Sequence, residues 1–316
     1  MPIRSIIVGM GRTMEKIDIG SAKLACKRFG SGEKTFVIDT ALGTCSAEWW
    51  HIAERIGRNA QVLVYDRAGY GESSASTLER TPGKIAAELK MLLDQLRIER
   101  DITLIGHSQG GLYAVQFALQ YPEMVGGLIL LDPATPFDQG FRESLSTNEY
   151  KQSGVDKTSS MKIAKVITSL GLGFLLKSLL AKSPPFFYHE FAPDAKEYLL
   201  RNLCHRNTYR TALAEYAFSH SEAHTKQISE GVSSAALQNL PIKIITHASD
   251  VYVKELEAYG GMATETATKV EALWQQIMAK YLLLSRECEH VVAIHSGHYI
   301  HLTDEELLIR TVEEML

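Results

Sequence analysis

Cysteine is scarce in this chain, with four residues in 316: Cys26, Cys45, Cys204 and Cys288. None belongs to a CxxC pair, and none has metal-ligand spacing from another candidate ligand. A disulfide scaffold, a zinc site or any other metal is therefore not expected, and the thiols read as free groups in a reducing cytoplasm. No apolar run reaches the length that crosses a bilayer, so no transmembrane anchor is expected. The opening residues, Met1 to Asp18, lack the sustained apolar core of a secretory signal. Positive charge is not in excess: 33 Lys and Arg against 37 Asp and Glu leave a net charge of -4. That balance speaks against nucleic acid or an anionic membrane as the main partner. Nucleotide loops are missing too. Gly69-x-Gly71 and Gly9-Met10-Gly11 fall short of GxGxxG and no Walker lysine follows, so no cofactor is expected.

What is present is an ordinary globular composition, 45% hydrophobic and 22% charged, in a chain long enough for one large core plus an inserted subdomain. Met14 to Asp18 and Lys23 to Phe29 read as an opening hairpin. Buried strands follow at Thr35 to Ile38, Gln61 to Tyr65, Ile102 to Ile105, Gly127 to Leu131, Pro241 to Thr246 and His290 to Ile294. Between them, Ser46 to Arg58, Thr81 to Ile98 (with Pro82 in its first turn) and Thr264 to Ser285 carry helical spacing. A final helix is expected over Thr303 to Leu316, with Thr303 and Glu306 as a capping box. This alternation predicts a mostly parallel sheet covered on both faces, in an α/β fold. It stops between residues 136 and 240, where the pattern is helical and broken by Pro184-Pro185 and Pro193. A block that long is no loop, and it reads as a helical cap over the carboxyl ends of the strands. The domain reading is a core over 1–135 and 241–316 with the cap at 136–240. Within the cap, the apolar residues of Ile163 to Leu180 read as a helix packed on the sheet domain. Part of that face, with Pro184 to Tyr188, could line an acyl pocket, and a lipid-surface lid is the less favoured reading because the stretch is short.

Asp101 to Tyr121 organises the rest. A buried strand runs into Gly106-His107-Ser108-Gln109-Gly110, and an apolar helical face follows. This is the G-x-S-x-G pattern, in which a tight strand-to-helix turn lifts a serine hydroxyl above the sheet. Three fixed positions of common residues recur by chance in roughly one chain in ten of this length, so context has to carry the reading.

That context resembles the α/β-hydrolases of the capped, lipase- or esterase-like kind, with an eight-stranded sheet. The resemblance rests on Gly106 to Gly111, on Tyr65 to Ser73 (similar to a D-x-x-G-x-G-x-S loop), on Pro241 to Asp250, and on Ser296-Gly297-His298. It implies Ser108 as nucleophile, His298 as base (with His295 and His301 as competitors) and Asp250 as the acid that orients it. Asp132 is the rival acid, with Glu255 and Glu257 behind it. The backbone N–H groups of Leu42 and Gln109 would form the oxyanion hole, and Thr40, Ala41, His107 and Tyr70 would line the substrate. The chain departs from the pattern at Thr40-Ala41, where His-Gly is usual, and alanine takes positive φ less readily than glycine. The expected activity is carboxylic ester hydrolysis through an acyl-enzyme, on a small apolar substrate, with a homodimer left open. C–C bond hydrolysis, lactonase, haloperoxidase, aminopeptidase and acyltransferase chemistry share the triad. A hydrolase-like small-molecule receptor is the non-catalytic alternative. A serine at the elbow speaks against the dehalogenases and epoxide hydrolases of this fold, which need an aspartate there.

Overall fold

In a computed structural model that describes residues 14–155 and 158–316, an eight-stranded sheet carries the chain. The strands are β1 Glu15–Asp18, β2 Lys23–Phe29, β3 Thr35–Asp39, β4 Gln61–Tyr65, β5 Ile102–His107, β6 Val125–Leu131, β7 Ile242–His247 and β8 Cys288–Ala293. Their spatial order is β1-β2-β4-β3-β5-β6-β7-β8; β1, β2 and β4 pair antiparallel and every later pair is parallel. Gly9-Met10-Gly11 lies outside the described residues.

The helices are α1 Trp50–Ile56, α2 Pro82–Gln95, α3 Gln109–Gln120, α4 Gln139–Ser144, α5 Thr147–Ser153, α6 Ser159–Ser169, α7 Lys177–Leu180, α8 Pro193–Leu203, α9 Arg206–Ser219, α10 Glu222–Ser233, α11 Ser249–Gly260, α12 Thr264–Met278, α13 Ile300–Thr303 and α14 Glu305–Glu313. Strand alternation sorts the core onto two faces. Val37, Leu63, Leu104 and Leu128 pack with α2 and α3. Phe36, Ile38, Ile105 and Ile129 pack with α1 and α14. Burying Leu308 and Val312 of α14 contributes roughly 2 kcal/mol each at the usual yield per apolar area.

Four elements differ from the sequence reading. The last helix is capped by Asp304, whose side chain accepts from Leu307 N–H, and not by Thr303, which donates to Ser296 Oγ. The last strand begins at Cys288 and ends at Ala293, ahead of the expected Ile294. A helix, α11, begins directly after β7, where the sequence reading placed no helix. Helix α3 is buried almost all round rather than on one face, because α10 of the inserted block covers it; a Cβ on Gly231 would meet Leu119 Cδ2 at 2.7 Å.

The described residues between β6 and β7 form helices α4 to α10. They are tied to the loops that follow β3 and β4. Asn202 of α8 accepts from Gly71 N–H (2.8 Å) and donates to Gly43 O (3.0 Å), and Tyr198 donates to Asp66 at 2.6 Å. The stretch expected to pack inward does not. Thr168 is the one buried residue of α6, and Ile163, Val166 and Leu170 stand exposed.

Candidate active site

Strand β5 passes into α3 through Ser108, whose backbone is at φ 52°, ψ -117°. No ordinary L-residue rests comfortably there, and the conformation costs on the order of 1–3 kcal/mol. The surroundings hold it. Ser108 N–H donates to Leu131 O at 2.9 Å, and Ser108 O accepts from Gly111 and Ala134 N–H at 3.0 and 2.8 Å. The flanking glycines are required by contact: a Cβ on Gly106 would sit 2.6 Å from Gly111 Cα, and one on Gly111 would sit 2.6 Å from Pro133 Cβ. A Cβ on Gly110 would overlap the carbonyl oxygen of Asp39, so α3 starts in direct contact with the loop after β3. Gly110→Ala is expected to cost about 2–3 kcal/mol and to lower Tm by roughly 3–5 °C. An unchanged melting curve would refute this packing.

His298 lies in the loop after β8, and Asp132 follows β6, the strand beside β5. The His298 Nδ1–H donates to Asp132 Oδ2 at 2.8 Å. The expectation for the acid is thus not met by the structure. Asp250 stands in the first turn of α11 with a side chain 75% exposed, and faces Lys254 at 3.5 Å. There its charge favours the helix N-terminus instead of meeting the imidazole. Of the other rivals, Glu255 reaches the backbone at Gly297 and accepts from Tyr188 at 2.7 Å. His295 is exposed, while His301 is fully buried, bonded to Glu48 at 2.9 Å and stacked on Trp49.

Sequence reasoning missed a second histidine on the same carboxylate. His247, the last residue of β7, places Nδ1 2.6 Å from Asp132 Oδ2 and donates its backbone N–H to Oδ1 at 3.0 Å. Its Nε2 lies 2.9 Å from Glu271 Oε2 of α12. Tyr252 of α11 stacks on one side of the ring and Trp274 of α12 packs at 4.2 Å. Both ring nitrogens meet carboxylates, so both carry protons and the ring is an imidazolium. Burial opposes the charge, but Asp132, and then the hydrogen bonds to Asp132 and Glu271, push its pKa up to about 9 from 6.5. Burial works against ionised Asp132, but the His247 charge and the hydrogen bonds from His247 and His298 hold its carboxyl well below the usual carboxylate range.

Linkage gives the sign. A group whose folded pKa is raised stabilises fully below its unfolded value and loses that contribution as pH rises to the folded one. His247 therefore contributes fully below about pH 6.5 and loses up to about 3 kcal/mol as pH climbs through 9. In Glu271→Gln this loss is expected at lower pH, by about one unit, in melting curves recorded from pH 5 to 10. Identical pH profiles for the two proteins would contradict an ionised His247.

The loop after β3 is held from below by Arg67, fully buried, which donates to Thr40 O at 2.6 Å and Ala41 O at 2.9 Å. Its guanidinium also meets Asp39 and Glu215 of α9, and Glu215 in turn accepts from Arg80 and Tyr70. Ala41 is not among the residues of positive φ; Gly43 takes that conformation instead, at 77°. The replacement of His-Gly by Thr40-Ala41 thus carries no backbone strain of this kind.

Two residues expected to line substrate are occupied otherwise. Tyr70 is buried with its hydroxyl on Glu215 at 2.9 Å. His107 is fully buried, and its Nε2–H donates to the carbonyl of His298 at 2.9 Å. It ties the His298 loop to the elbow. Burial, then its histidine neighbours, holds its pKa well below the usual value, so it is neutral. Glu48, His107 and His301 form a buried trio whose ligand-type atoms lie within 4.8 Å of one another, a grouping their spacing in sequence did not reveal. Glu48 there accepts from Thr44 and His301.

Comparison with known proteins agrees with this architecture. Residues 34–162 match the family model of the alpha/beta hydrolase fold. A protein of Gibberella zeae named "AB hydrolase superfamily protein" is 22% identical over 285 residues, 86% of this chain and 83% of that one. The 2-hydroxy-6-oxononadienedioate/2-hydroxy-6-oxononatrienedioate hydrolase of Paraburkholderia phymatum is 35% identical over 111 residues, 34% of this chain and 38% of its own length. The solved structure of the epoxide hydrolase CorEH superposes with a TM-score of 0.66 at 15% identity, covering 96% of this chain and 98% of that one. With the matched segment, the strand order and the strained serine turn in one molecule, the chain has the α/β-hydrolase fold.

Proposed function

We propose that this chain is a serine hydrolase that cleaves carboxylic esters through an acyl-enzyme, with Ser108 as nucleophile, His298 as base and Asp132 as the acid. The observation that carries the reading is the 2.8 Å bond from His298 Nδ1 to Asp132 Oδ2, in a fold whose strand-to-helix turn holds a serine at φ 52°. With Nδ1–H engaged, the other ring nitrogen is unprotonated and can take the Ser108 proton as the oxygen attacks the acyl carbon. The proton then passes to the departing alcohol, and water, deprotonated by the same imidazole, releases the acid. Backbone N–H groups of Gln109, at the start of α3, and Leu42 would bind the oxyanion, contributing roughly 3 kcal/mol each. The block of helices α4 to α10 serves as the cap.

His247 and Glu271 enlarge the acid. Glu271, His247 and Asp132 carry a net charge of -1 once His247 is protonated, and the imidazolium formed at His298 neutralises it. Asp132 needs no mobile proton of its own.

Serine chemistry also selects between neighbours. A serine oxygen opening an epoxide would leave an ether on the enzyme, which water does not cleave, whereas an acyl ester is released at its carbonyl carbon. The elbow therefore favours acyl substrates over epoxides. The similarity to the Paraburkholderia hydrolase supports C–C bond hydrolysis as a second reading, with the same residues. A panel of p-nitrophenyl esters of increasing chain length, run beside an epoxide and a vinylogous 1,5-diketone, separates them. Turnover of the diketone alone would replace the ester reading, and turnover of nothing would end both.

A further inference from the structure

We propose that the outward face of the cap, from α6 to Phe187, docks on an anionic lipid surface. Eight of the fourteen large apolar side chains that stand exposed among the described residues fall in this one stretch: Ile163, Val166, Leu170, Leu172, Phe174, Leu175, Leu179 and Phe187. Soluble proteins expose such residues singly, and a cluster marks a docking face. The spacing is that of an interfacial helix. Ile163, Val166 and Leu170 form one outward stripe of α6, and Lys162, Lys165 and Ser169 run alongside it, exposed.

Charge selects the occupant. From residue 158 to 189 there is no aspartate or glutamate, while Lys162, Lys165, Lys177 and Lys182 are exposed. The chain as a whole is negative, at -4, so this basic and apolar patch is a local feature set against the overall balance. A neutral protein partner would leave four ammonium groups without counter-charge. A bilayer with anionic headgroups takes the apolar stripe into its interface and meets the lysines at headgroup level.

The face leads towards the site. Phe187 packs on Tyr188 with ring centroids 4.4 Å apart, Tyr188 stacks on Tyr299 at 4.9 Å, and Tyr299 meets the His298 ring at 5.7 Å. An aromatic row thus joins the exposed patch to the proposed base. Resting on the ester-hydrolase reading, this implies an acyl substrate drawn from the lipid phase.

The test is co-sedimentation of the full chain with phosphatidylcholine vesicles containing about a third phosphatidylglycerol, against pure phosphatidylcholine. The expected result is binding at least about tenfold stronger to the anionic vesicles, reduced by high salt. Substituting Ile163, Val166 and Leu170 together by Ser, or making the pair Lys162→Glu and Lys165→Glu, should each weaken it at least about tenfold. Both variants should keep the wild-type Tm and turnover of a water-soluble short ester, since these side chains are exposed and away from Ser108. Absence of vesicle binding, or equal binding to both vesicle types, overturns the proposal. So does a dimer in light scattering that the serine variant dissolves while vesicles capture nothing, which would assign the face to a second copy. If vesicles bind as expected but no ester is turned over, the docking stands and the ester reading falls.

Discussion

Asp132→Asn is expected to lower kcat on an ester by about 10³–10⁴-fold, while Asp250→Asn stays within about twofold of wild type. Asn presents an amide to His298 in place of a charge, so the ring can settle in the wrong tautomer, and the imidazolium loses its nearest counter-ion. Asp250 points into solvent beside Lys254 and has nothing to lose. Because Asp132 also accepts from His247, the Asn variant should be destabilised, and its Tm has to be recorded with its kinetics. A loss of rate that survives at temperatures where the variant is fully folded is the signature of a catalytic carboxylate. The opposite ranking, with Asp250→Asn inactive and Asp132→Asn active, would move the acid to α11 and overturn the reading of the site.

Ser108→Ala is expected to lower ester turnover by about 10⁵–10⁶-fold, to the residue that binding and backbone donors alone supply. Its Tm should hold or rise slightly, although alanine inherits the strained turn, because the hydroxyl makes no bond that the fold needs. Substrate should still bind, so KM changes far less than kcat. A variant retaining more than about 1% of the wild-type rate would mean that water is activated directly, without an acyl-enzyme.

Much of the fold was legible because its signals are local. The six buried runs that follow the opening hairpin fall on β3 to β8, with boundaries shifted by a few residues. The elbow was legible because glycine before and after a serine is a steric demand, and the overlap at Gly110 shows its cause. Asp132, and not the expected Asp250, meets His298 for a topological reason. Asp132 and Asp250 both follow strands, but β6 lies beside β5 whereas β7 is one strand further away, about 5 Å more across the sheet. Asp132 takes φ 43°, with its carboxylate on His247 and His298, and nothing in Leu131-Asp132-Pro133 announces that angle. The charge on His247 was hidden because it depends on Glu271, which reaches it only through the packing of α12. The direction of α6 was hidden as well. Helical spacing places Ile163, Val166 and Leu170 on one face but does not say whether that face looks in or out.

Labelling by a fluorophosphonate, located by peptide mass spectrometry, tests the central claim most directly. A single adduct is expected on the peptide that carries Ser108, formed slowly in Asp132→Asn, at the wild-type rate in Asp250→Asn, and absent in Ser108→Ala. An adduct on another residue, or ester hydrolysis that persists undiminished in Ser108→Ala, would contradict it.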